Sequence, residues 1–126
     1  MLKSAIWRTP YPSVIWFLVI LVGSLMPATS VSDFSLFDKG VHFIFYAIFS
    51  FLLFLASLSY PNTQGSKLNR WFVVLVLGTS VGVCIELIQH IFISSRFGDL
   101  MDVVANTGGL IVALFIAELL NGNGAL

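Results

Sequence analysis

Apolar residues fill four stretches of this chain, and polar residues collect at the ends of those stretches. The stretches cover residues 13–26, 40–58, 71–93 and 100–120. A helix needs about 20 mostly apolar residues to cross the hydrocarbon core of a bilayer. The pattern therefore predicts four transmembrane helices, over about residues 11–27, 40–59, 71–93 and 99–120. The first is short, is stopped by Pro27, and gains length from the approach at residues 7–12. Residues 61–70 read as a polar loop, and residues 94–99 as a tight turn. No tandem repeat and no low-complexity segment interrupts this order. The expected fold is all-α, a small polytopic membrane bundle in a single domain over residues 1–126.

Composition supports lipid as the solvent. Residues of the AVILMFWYC set make up 58% of the chain and charged residues only 10%. A soluble domain carries about 25% charged residues, too many more for this chain to present an ordinary water-facing surface. Net charge is zero, so there is no basic footprint for nucleic acid. Membrane lipids are the expected surroundings. The single cysteine, Cys84, excludes an internal disulfide and reads as a small buried packing residue.

Basic residues in short loops favour the cytoplasm. Lys3, Arg8, Lys67 and Arg70 fall on one side, and Lys39 and Arg96 on the other. Both chain ends are thus expected in the cytoplasm of a multi-pass protein of the cell membrane. Residues 28–39 and the turn near Ser94 are expected outside. Trp7, Tyr11, Tyr60 and Trp71 then mark the inner boundary, as interfacial aromatics do. A rival reading takes the first stretch as a secretory signal cleaved after residues 28–30, with Lys3 and Arg8 preceding its apolar core. That reading leaves three helices and does not change the orientation of the rest.

The strongly polar residues of the helices gather at one face. They are Asp38, Lys39, His42 and Tyr46 in the second helix, and Glu86, Gln89 and His90 in the third. Asp99, Asp102 and Asn106 belong to the fourth, with Arg96 just before it. Up-down topology brings all of them to the outward end, and the other end offers Glu118 and little else. Asp38, His42, Tyr46 and Ser50 recur every four residues and share a helix face. Glu86, Gln89 and His90 share one by the same rule. An acidic residue near mid-membrane costs roughly 2.5–3.5 kcal/mol, so Glu86 should face a partner or a wet cavity. Gly78 and Gly82 form a G-x-x-x-G pair, and Ala105, Gly109, Ala113 and Ala117 repeat at the same interval. The simplest arrangement packs the third and fourth helices through these small lines.

Each polar residue also has a plain structural reading. Asp38 and Asp99 suit helix starts. Glu86 with Arg96 could be an ion pair that fixes the turn. Gln89 and Tyr46 could hydrogen-bond across helices, and His90 could snorkel at the interface. For His42, Asp38 one turn earlier could set the tautomer. Three chemistries compete with these readings. One is acid–base catalysis on a lipid-linked or envelope substrate by a hydrolase or transferase, with His42, Glu86 or Asp102 as candidates. A second is binding of a charged head group or antibiotic by Arg96, Lys39 and the carboxylates. A third is a metal site, ranked below the others because no diagnostic spacing such as H-E-x-x-H occurs. No cofactor is expected, since Walker, G-x-S-x-G and C-x-x-C motifs are all missing. A scaffold whose glycine-lined faces hold partner membrane proteins is a further alternative.

Three motifs carry a family resemblance. The second helix opens with D-K-G-V-H at residues 38–42, and the third closes with E-L-I-Q at residues 86–89. Residues 96–109 read R-F-G-D-L-M-D-V-V-A-N-T-G-G. Together they resemble the VanZ-like family over about residues 38–113. The resemblance implies a small multi-helix membrane protein of the cell envelope. Its founding member accompanies glycopeptide-resistance clusters and is linked to teicoplanin resistance. Carried over by position, it implies binding residues at Asp38, Lys39, His42, Glu86, Gln89, Arg96, Asp99, Asp102 and Asn106. A cell-wall precursor, a lipid head group or a glycopeptide is the expected ligand. His90 lies outside the pattern, and Ile93-Ser94-Ser95 stands where many members have a proline before the arginine.

Overall fold

The computed structural model describes residues 5–25, 35–60, 66–92 and 100–126. A short 3-10 helix, Ala5–Arg8, leads into four α-helices: α1 (Tyr11–Leu25), α2 (Ser35–Ser57), α3 (Lys67–Phe92) and α4 (Leu100–Gly122). No strand occurs among the described residues, so the all-α expectation holds. Helices α2, α3 and α4 are each long and apolar enough to cross a membrane. The 15 residues of α1 reach only about 22 Å at 1.5 Å per residue. That falls short of the roughly 30 Å hydrocarbon core, so α1 is the shorter apolar helix of the set.

Helix boundaries depart from the hydrophobic pattern where polar residues still have good helical contacts. Helix α2 begins at Ser35, so Asp38 and Lys39 lie inside its first turns. Helix α3 begins at Lys67 and takes in part of the expected polar loop. There the Ser66 hydroxyl accepts a hydrogen bond from the Asn69 backbone N–H at 3.2 Å, the contact of a helix N-cap. Helix α4 ends in a two-bond cap. The Ala125 N–H donates to the Leu120 carbonyl and the Gly124 N–H to the Asn121 carbonyl, both at 3.0 Å. Gly124 sits at φ 70°, the left-handed position this cap needs and glycine takes without steric cost. The cap turns the chain back so that Leu126 is buried against Phe54, Leu55, Val74, Leu114 and Ala117.

Long-range contacts give the packing directions. Lys39 meets Asp102, His42 meets Asn106, and the Ser50 hydroxyl donates to the Leu110 carbonyl at 2.9 Å. Helices α2 and α4 therefore run side by side in the same direction. Arg70 meets Glu118 and Gly78 faces Leu110, so α3 runs antiparallel to α4. Helix α1 joins through the Trp16 indole N–H, which donates to the Phe45 carbonyl at 2.9 Å. The two rings also pack edge-on, 5.5 Å apart.

The expected pairing of the small-residue lines is half right. Gly78 and Gly82 of α3 do face α4: a Cβ on Gly78 would meet the Leu110 side chain, and one on Gly82 would lie 3.5 Å from Asn106 Nδ2. Gly109 instead packs against the backbone of α2, where an added Cβ would collide with the Phe43 carbonyl and approach the Ala47 nitrogen at 3.0 Å. The reason is that α2 carries the inward polar line of His42, Tyr46 and Ser50, all buried. Its hydrogen bonds to Asn106 and the Leu110 carbonyl draw α4 onto it. Cys84, expected in the interior, is exposed, because Gly82, Ile85, Glu86 and Gln89 take the inward arc of α3.

Candidate functional site

The site begins with a carboxylate that the first turn of α4 places in the interior. Asp102 lies in that first turn, where the helix dipole favours a negative charge. A helix-start role thus applies to Asp102 as well as to Asp38, which holds the matching position in α2. Burial sets Asp102 apart, since its side chain is only 12% exposed. Two groups from successive turns of α2 converge on it. The Lys39 ammonium donates to Oδ1 at 3.2 Å, and His42 Nε2 lies 3.7 Å from Oδ2. The other imidazole nitrogen, Nδ1, lies 3.2 Å from Asn106 Oδ1. The Asp38, His42 and Asp102 ligand atoms all fall within 4.8 Å of one another. A metal site is the lowest-ranked of the three chemistries that sequence spacing leaves open. The grouping escapes any linear motif because two helices supply it.

A cavity of about 150 Å³ adjoins this cluster. Asp38, His42 and Tyr46 line it together with Ile20, Gly23, Ser24, Val41 and Phe45. Tyr46 is 1% exposed. Its hydroxyl, expected to bond across helices, has no hydrogen-bond partner among the described residues. Burial without a partner costs a hydroxyl about 1–3 kcal/mol. A Cβ on Gly82 would lie 3.6 Å from Tyr46 Oη and 3.5 Å from Asn106 Nδ2, so this glycine lets both polar groups approach α3.

Helix α3 brings Glu86 and Gln89 to the same end of the bundle, both buried. The Gln89 amide donates to the Ser24 carbonyl at 2.6 Å. It thereby ties the last described turn of α1 to α3. That bond explains Gln89 as a cross-helix strut. His90 departs from the shared face and is exposed, since it lies beyond the edge of the arc that Glu86 and Gln89 occupy. Arg96 and Asp99 lie outside the described residues, as does the expected turn at residues 94–99.

Sequence reasoning missed the ion pair at the opposite end. Arg70 donates to Glu118 Oε1 at 2.8 Å, with both side chains largely buried. The Trp71 indole N–H reaches Glu118 Oε2 at 3.4 Å. The signal was available: a lone carboxylate in an apolar helix needs a partner, and Arg70 opens the helix that runs antiparallel to it.

The fold and the cluster define a class: a small helical protein with three helices long and apolar enough to cross a membrane, and ionisable side chains from several helices drawn to one end of the bundle. The VanZ/LLP1 family model matches residues 4–121, nearly the whole chain, and the chain belongs to that family. No curated protein and no solved structure matches it.

Proposed function

We propose that this chain is a multi-pass protein of the cell membrane whose pocket at the Asp102 end engages the polar head group of a lipid or lipid-linked envelope precursor. The observation that carries this reading is the convergence of Lys39 and His42 on Asp102 beside a cavity that Asp38 and His42 also line. Groups that only stabilised the bundle would need no cavity at their side. The distribution of basic residues supports an outward opening with both chain ends in the cytoplasm. A drug-sized ligand takes a cavity of roughly 300–1,000 Å³, and the about 150 Å³ here favours a head group over an entire glycopeptide. Resistance of the teicoplanin type would then act through the precursor.

The test is native mass spectrometry of the purified protein after exchange into mixed lipids that include an undecaprenyl-linked precursor. One head-group class should be retained selectively, and Asp102→Asn should abolish that selectivity while His90→Ala, at an exposed position, keeps it. Equal retention of every lipid by the unaltered protein would overturn the reading.

A membrane-embedded hydrolase or transferase is the second reading. The contacts of His42 with Asn106 and Asp102 favour it, because a general base must be held in one orientation. Turnover of the retained lipid by the unaltered protein, lost in His42→Ala, separates catalysis from binding.

A further inference from the structure

We propose that Asp38, His42 and Asp102 form a binding site for one divalent transition-metal cation of the zinc or manganese kind. The inference deepens the head-group reading and rests on it only for what the ion would hold. Nitrogen and oxygen ligands sit about 2.0–2.2 Å from such an ion, so two of them at a tetrahedral angle are about 3.3–3.6 Å apart. The three ligand atoms lie within 4.8 Å of one another. Side-chain closure by about 1 Å at the widest would complete the set. The 3.7 Å between His42 Nε2 and Asp102 Oδ2 is already close to that spacing.

The orientation of the imidazole is the second observation. Nδ1 faces the amide oxygen of Asn106 at 3.2 Å, so it carries a hydrogen and donates. In the neutral imidazole the lone pair of Nε2 then faces the carboxylate of Asp102. Two electron-rich atoms face each other across that gap, and a cation between them resolves the conflict. A histidine whose other ring nitrogen donates to an oxygen is the usual arrangement of a metal ligand. The imidazole suits zinc and the carboxylates suit manganese.

A divalent ion held by Asp38, His42 and Asp102 would leave open positions toward the cavity that Asp38 and His42 line, where phosphoryl oxygens could complete its coordination. The buried, unpartnered Tyr46 hydroxyl lines that same cavity and can donate to such a ligand. Lys39, 3.2 Å from Asp102 Oδ1, is the cation that a metal would have to displace.

The experiment is equilibrium dialysis of untagged, chelator-treated protein in lipid-free detergent against Mn2+ and against Zn2+, with pulsed EPR of the Mn2+ form. One ion per chain should bind, with nitrogen coupling in the EPR signal. His42→Ala should remove the nitrogen coupling and weaken binding by roughly tenfold or more, a change of about 1.4 kcal/mol or more. Lys39→Met should bind severalfold more tightly, a gain that misfolding cannot produce. His90→Ala should bind like the unaltered protein. The inference is overturned if neither ion binds saturably, if His42→Ala leaves binding unchanged, or if Lys39→Met weakens it. Selective lipid retention that persists in chelator, with no ion bound, would remove the metal and leave the head-group reading standing. Ion binding without lipid selectivity would do the reverse.

Discussion

Tyr46 shows what a single side chain can separate. It is among the most buried large residues of the protein, yet its hydroxyl has no hydrogen-bond partner among the described residues. Removing a hydroxyl that makes no bond costs little stability, because no desolvated partner is left behind. Tyr46→Phe should therefore unfold no lower than the unaltered protein, and above it by up to the shift that about 1–3 kcal/mol produces. The same variant should retain the selected lipid less well in native mass spectrometry. A large loss of thermal stability would instead show that the hydroxyl holds the bundle together. Glu118 is the contrasting case. Its carboxylate meets Arg70 at 2.8 Å beside an indole donor, so its burial is explained by partners within the protein, and no ligand is needed there.

At the scale of elements, the α2–α4 contact is the one a methyl group would break. A Cβ on Gly109 would collide with the carbonyl of Phe43, a backbone atom that cannot rotate away. The same addition at Gly82 meets only side-chain atoms at 3.4–3.6 Å. Gly109→Ala should therefore destabilise the protein by roughly 1–3 kcal/mol or more, and Gly82→Ala by less than about 1 kcal/mol, read by denaturant unfolding in detergent. Comparable losses at the two positions would contradict the packing. The G-x-x-x-G periodicity reveals which faces are small. It does not reveal which neighbour each face meets. Gly109 could be placed on α2 only once the hydrogen bonds of His42 and Ser50 were known. The positions of the helices were legible, because runs of apolar residues of spanning length leave the backbone little alternative. Their ends were less so, since Lys39 and Lys67 are polar residues that the helices retain.

At the scale of the molecule, antiparallel chain direction sorts the polar residues into two groups. Asp38, Lys39, His42, Glu86, Gln89, Asp102 and Asn106 share one end, and Arg70 and Glu118 the other. That sorting was legible from element order alone. Membership of the first group followed from the cost of placing ionisable groups singly in lipid. The pairing inside it was not legible, because helical spacing fixes faces and leaves rotation about each helix axis to packing. The central claim is that Asp102 is the point where α2 and α4 exchange charge. A double-mutant cycle tests it most directly, with Lys39→Met and Asp102→Asn made singly and together and stability measured in the same detergent. A shared, part-buried contact should give a coupling energy of about 0.5–3 kcal/mol, the double variant losing less than the two single losses combined. Strict additivity would mean that the two side chains do not meet, and the pocket as described would not exist.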